Sequence, residues 1–149
     1  MAFEMMRLHS DDEFQAWLTR DLEVRDELDA LVGEPLGIDL ASLDVLEAFL
    51  LARYRTPDDA LTLDQRGVLD AAARHIGLMM VLHVDDAQWA IDLDRTDSLT
   101  WRLPVIRMTG GDTECPLATA TTALDRRTGE ELRLTVEGYA EAYNGATPE

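Results

Sequence analysis

The hydrophobic period of this chain changes at Asp85-Asp86, and that change constrains the fold more than any other feature of the sequence. Before it, Val68, Leu69, Ala72, Ala73, Ile76, Met79, Met80 and His83 keep the spacing of an amphipathic helix. After it, Trp89, Ile91 and Leu93 alternate with Gln88, Ala90 and Asp92. Leu99, Trp101 and Leu103 then alternate with Thr100, Arg102 and Pro104. Two such runs separated by residues 94–98 predict an antiparallel hairpin. Its strands are expected at about 87–94 and 99–108. Leu93 would face Leu99, Ile91 would face Trp101, and Trp89 would face Leu103, so that all six side chains share one buried face. A lone hairpin is marginal in water, so helices or a further strand must cover it. The expected class is α+β.

Helix signals frame the hairpin on both sides. Ser10-Asp11-Asp12-Glu13 reads as a capping box opening a first helix that runs to about Val32, with Gly33 placed to end it. Phe14, Trp17, Leu18, Leu28 and Val32 form its core stripe. The second helix, capped by Asp39 or Ser42, runs to about Tyr54 and stops before Pro57. Leu43, Leu46, Phe49, Leu50 and Tyr54 share a face while Val45 and Leu51 lie off it, which predicts cover on more than one side. Thr62 and Gln65 suggest a capping box for the third helix, and Asp70 with Arg74 an outward i,i+4 pair. Gly77 inside that helix costs about 1 kcal/mol relative to alanine, so close packing of another element is expected there. Downstream, Gly110-Gly111 ends the second strand and Pro116 opens a short helix to about Arg127. Thr128 and Glu131 then start a last helix through Leu132, Val136, Tyr139 and Tyr143; a strand at 132–136 is the competing reading. The whole reads as a single domain, 1–149, in which three helices pack on the hairpin and one or two helices follow. Residues 1–9 read as a lead-in and 144–149 as a frayed tail.

Charge narrows the function. Thirty acidic residues face 13 basic ones, all arginine, for a formal net charge of -17. Such a surface does not neutralise nucleic-acid phosphate or dock on anionic membranes. It suits a basic protein partner or simple solubility, and a homodimer is compatible with it. The absence of lysine removes the phosphate-loop motif and Schiff-base chemistry. No dinucleotide-binding, zinc-protease or nucleophile-elbow motif is present. The single cysteine, Cys115, has no partner for a disulfide, and no Cys/His cluster suggests a metal. No cofactor is expected. With no membrane-length apolar run and no basic-then-apolar start, a cytoplasmic location is expected.

Five residues are candidates for a binding site. Asp21 and Arg25 project from the middle of the first helix's apolar stripe, as an edge salt bridge or as a semi-buried pair lining a pocket. His83, near the centre of the third helix's stripe, is either bonded to a carbonyl or grouped with Asp85 and Asp86 as an acid/base or metal site. Trp89 and Trp101 read as core before ligand platform. Cys115 precedes a helix start but lacks a histidine partner. Asp11-Asp12, Asp58-Asp59 and Glu130-Glu131 sit at helix starts, where they complement the dipole.

The run Ala72-Ala73-Arg74-His75-Ile76-Gly77, continuing to Asp85-Asp86-Ala87-Gln88-Trp89, resembles uncharacterised bacterial α+β domains of actinobacterial type. In these a helix with a Gly step leads into a Trp-bearing hairpin. Leu43-Asp44-Val45-Leu46-Glu47, Pro104 and Pro116 fit the same layout, and the likeness covers residues 40–135. Many such domains carry an acidic residue after the glycine, where this chain has Leu78. The resemblance implies the fold class and no activity. Two functions follow from the residues: a non-catalytic accessory, regulatory or immunity-like interaction domain, or a small-molecule-binding protein or unusual enzyme with a pocket between hairpin and helices.

Overall fold

The stretch expected as one helix after Ser10 folds as two. In the computed structural model, which describes residues 3–145, α1 spans Asp11–Thr19 and α2 spans Asp21–Val32. Arg20 stands between them at φ −83° and ψ 1°. Ser10 accepts the Glu13 amide at 3.1 Å, but the Glu13 carboxylate turns to the His9 amide. No glycine or proline forces the break. Tertiary contact does: the carbonyl of Trp17, in the last turn of α1, accepts a hydrogen bond from Arg74 at 2.6 Å. Asp21 and Glu23 then occupy the first turn of α2, where they complement its dipole. Gly33 ends α2 in the left-handed region, at φ 96°.

α3 spans Ala41–Arg53, and Pro57 opens a short α4, Pro57–Ala60, behind a Thr56/Asp59 capping box. The Thr62/Gln65 box does not form. The Thr62 carbonyl accepts the Gln65 and Arg66 amides instead, and α5 begins later, spanning Arg66–His83. α5 is the axis of the fold, touching α2, the two helices that follow the sheet, and the first two strands. Ala71, Ala72, Ala73 and Gly77 let those neighbours come close, and residues 71–77 are buried. Arg74 is therefore not outward. Its bond to Asp70 forms at 2.8 Å, yet Arg74 is only 2% exposed.

The hairpin exists, in a shorter form and a different register. β1 spans Gln88–Ala90 and β2 spans Val105–Arg107, with Trp89 opposite Ile106 rather than Leu103. Local chemistry stops the ladder. The Asp92 carboxylate captures the amides of Asp94 and Arg95 at 2.9 and 3.0 Å, a turn that competes with strand pairing. Arg102 is left-handed at φ 62°, and Pro104 has no N–H to donate. Of the six side chains expected on one buried face, Leu103 is buried while Leu99 is 79% exposed. A third strand, β3, Thr113–Glu114, pairs antiparallel with β2 after the Gly110-Gly111 turn, giving the order β1-β2-β3.

Two helices close the structure: α6, Pro116–Arg126, and α7, Glu131–Tyr143, so residues 132–136 are helical. Arg127 ends α6 in the left-handed region and donates to the carbonyls of Leu51, Tyr54 and Arg55, each at 2.9 Å, capping α3. Both ends of the described chain are docked. Buried Arg7 donates to the Trp101 carbonyl, and Asn144 bonds the Asp85 amide and the His83 carbonyl, each at 2.8 Å. The rest of the expected tail, 146–149, and residues 1 and 2 of the lead-in lie outside the described residues. Core side chains from α2 to α7 form one cluster.

A carboxylate lies inside that core. Glu47 of α3 is fully buried, and its Oε1 accepts the Leu132 amide at 2.8 Å, capping the first turn of α7. Glu47→Ala is expected to cost about 2 kcal/mol in urea unfolding, since it strands that amide and opens a cavity. Glu47→Gln, which keeps the accepting oxygen, should cost clearly less. Equal losses for the two variants would refute the capping role.

Candidate functional site

The polar groups of α1, α2 and α5 meet in a knot centred on Arg74. Its guanidinium carbon lies 3.9 Å from the centre of the Trp17 ring, a cation–π contact away from water. Arg74 Nε donates to Asp70 Oδ2 at 2.8 Å, and Trp17 Nε1 donates to Asp70 Oδ1 at 2.9 Å. Arg74 Nη1 reaches Asp21 Oδ1 at 3.6 Å, and Arg25 Nε donates to Asp21 Oδ2 at 2.7 Å. The Asp21–Arg25 pair is half-buried, at 23% and 25% side-chain exposure, and is coupled through Asp21 to α5. Trp89 meets Trp17 edge-on at 4.9 Å, with its ring seated over Gly77. That seat is the close packing expected at Gly77.

The other two candidates lie elsewhere. His83 Nε2 bonds the Ile38 carbonyl at 2.7 Å, and Asp85 accepts the Gly145 amide at 3.2 Å. Among the described residues no group of three or more His, Cys, Asp and Glu side chains is arranged to hold a metal ion. Trp101 donates from its indole to the Leu93 carbonyl at 3.2 Å and lies under Arg102, so it braces the loop between the strands. Cys115 is buried against an apolar cavity of about 370 Å³. Burial pushes its thiol up, which keeps it protonated and a poor nucleophile.

A serine–histidine contact escapes sequence reasoning, because its partners are 33 positions apart. Ser42 Oγ and His75 Nε2 are 2.8 Å apart between α3 and α5. Both residues are buried, at 4% and 3% exposure, so no substrate reaches the hydroxyl and the pair is structural. Burial, aided by the Arg25 charge, pushes the His75 imidazole from 6.5 down to about 4. The unfolded chain therefore takes up this proton first as the pH falls. Stability from His75 is full above pH 6.5 and is lost as the pH drops toward 4, by about 3 kcal/mol in all. Urea unfolding across that window should show this loss for the wild type and not for His75→Gln, with the carboxylate background common to both. Parallel pH profiles would refute it.

Beside the knot, a groove of about 440 Å³ opens between a 3₁₀ turn (Glu4–Met6), the end of α1 and the start of α5. Trp17, Arg20, Arg66 and Arg74 line it, with Met5 and Leu63 at its margins. The burial of Arg74 and this groove are not legible in the sequence; Ala71, Ala72, Ala73 and Gly77 near Arg74 are the available signal. No family model matches this chain, and searches of curated proteins and of solved structures found no match.

Proposed function

We propose that this chain is a non-catalytic interaction domain, of accessory, regulatory or immunity-like kind, whose acidic surface receives a basic protein partner. The outer face of α2 carries the reading. Glu23, Asp26 and Glu27 stand exposed there at helical i, i+3 and i+4 spacing. Like charges so placed oppose the helix by about 0.2–0.5 kcal/mol per pair. None of the three has an ion-pair partner among the described residues. Leu22 and Leu31, 64% and 49% exposed, flank them with apolar surface for an interface. Several of the cations are spent internally: Arg25, Arg74, Arg126 and Arg133 on carboxylates, and Arg127 on carbonyls. A basic partner would remove the repulsion on α2, and charge steering would make its association salt-sensitive. Nothing in this reading needs catalysis, and the Ser42–His75 pair is sealed from substrate.

Affinity purification from a lysate of the source organism, at low and high salt, tests it against a Glu23→Gln/Asp26→Asn/Glu27→Gln variant. The expected result is a basic protein, identified by mass spectrometry, that the wild type holds at low salt and the variant loses. A partner held equally by the variant removes α2 from the reading, and repeated recovery of none overturns it.

A further inference from the structure

The groove beside Trp17 has a charge opposite to that of the protein around it. The chain has 30 carboxylates for 13 arginines, yet eight of those arginines make no ion pair among the described residues. Two of them, Arg20 and Arg66, line this groove, and neither makes an ion pair among the described residues. Arg66 Nη1 is moreover buried with no hydrogen-bond acceptor, a state that an incoming acceptor would relieve. Asp64 and Asp70 also line the groove. Asp70 is already committed to Arg74 and to the Trp17 indole.

The backbone adds to this. Gly67 stands in the first turn of α5, where the Thr62 carbonyl takes the Arg66 amide and the Gln65 carbonyl takes the Val68 and Leu69 amides, which leaves the Gly67 amide without an acceptor among the described residues. Its backbone is not left-handed, and a Cβ built there would meet nothing within 4 Å. Neither strain nor crowding therefore explains this glycine, and it leaves the amide open to close approach. Around the cationic end stand apolar surfaces: the Trp17 ring, and Met5 and Leu63, 67% and 64% exposed.

We propose that this groove binds a small amphiphile: an oxyanion head held by Arg20, Arg66 and the Gly67 amide at the start of α5, with an apolar body on Trp17, Met5 and Leu63. The chemistry suits a carboxylate or a phosphate monoester, since guanidinium and a helix N-terminus serve both. The site is independent of the partner-binding reading, because the α2 carboxylates do not line the groove.

Calorimetric titration of the full chain with octanoate, octyl phosphate, octanol and acetate tests the proposal. Tryptophan fluorescence gives a second readout. Saturable binding is expected for one or both of the first two, which distinguishes carboxylate from phosphate, and neither octanol nor acetate should match it. An Arg20→Gln/Arg66→Gln variant should bind the preferred amphiphile at least about tenfold more weakly, with a melting temperature no lower than that of the wild type. Octanol binding as tightly as octanoate, full affinity in that variant, or no saturable binding of any amphiphile would each overturn the proposal. None of these outcomes touches the α2 reading, whose own variant leaves Arg20 and Arg66 in place.

Discussion

Replacing Gly77 with alanine is expected to destabilise the protein by about 2–3 kcal/mol, although the same change in an open helix would stabilise it by about 1 kcal/mol. The added methyl would stand 2.1 Å from Cζ2 and 2.2 Å from Cη2 of Trp89. Carbon atoms prefer about 3.5–4.0 Å. Neither side yields cheaply. Gly77 lies in the buried middle of α5, and Trp89 is the central residue of β1, paired to Ile106 and met edge-on by Trp17. Relief requires β1 to lift from the helix or the indole to leave its contact with Trp17. Urea unfolding measures the loss. In a Trp89→Leu background the same substitution should cost nothing or stabilise, because helix propensity then acts nearly alone. An equal cost in both backgrounds would show that Trp89 is not the obstacle.

Gly77 also marks what the sequence makes legible. A glycine in the middle of a strong helical pattern announces a close neighbour without saying which one. The helices themselves are readable because α3, α5, α6 and α7 each bury a stripe whose spacing is local information. The hairpin is readable as a pairing but not in its register. Alternation records faces; it does not register that the Asp92 side chain will take two amides, or that Pro104 removes a donor. The break at Arg20 has no local breaker at all, and the Thr113–Glu114 strand is too short to carry a period.

The candidate site divides the same way. Asp21–Arg25 and Asp70–Arg74 are each visible as i,i+4 pairs. That Arg74 joins them depends on the helix break, which is tertiary. Asp21, Arg25 and Trp89 therefore end in one connected set through Arg74 and Trp17, while His83 and Trp101 brace separate loops. The Ser42–His75 contact and the Glu47 cap join distant segments and leave no spacing to read.

Arg74→Ala is expected to cost about 3–5 kcal/mol, since it breaks a buried ion pair from one side and empties the volume of a large side chain. The loss has three parts: the Trp17 carbonyl loses its donor at the end of α1, the Trp17 ring loses its stacked cation, and Asp70 and Asp21 keep their charges without Arg74. Because Asp70 and Asp21 are 26% and 23% exposed, water can reach them, so the charge part is the smaller one. Arg74→Met, which restores most of the volume, should therefore recover a good part of the loss in urea unfolding. Arg74→Lys keeps the charge but cannot stack on Trp17 while dividing its donors between Asp70 and a carbonyl, so it should also fall below the wild type. The order expected is wild type most stable and alanine least, with tryptophan fluorescence changed in all three variants. A methionine variant as stable as the wild type would mean that stability is not what keeps a cation at position 74. The wall it forms in the groove would then be the remaining reason for it.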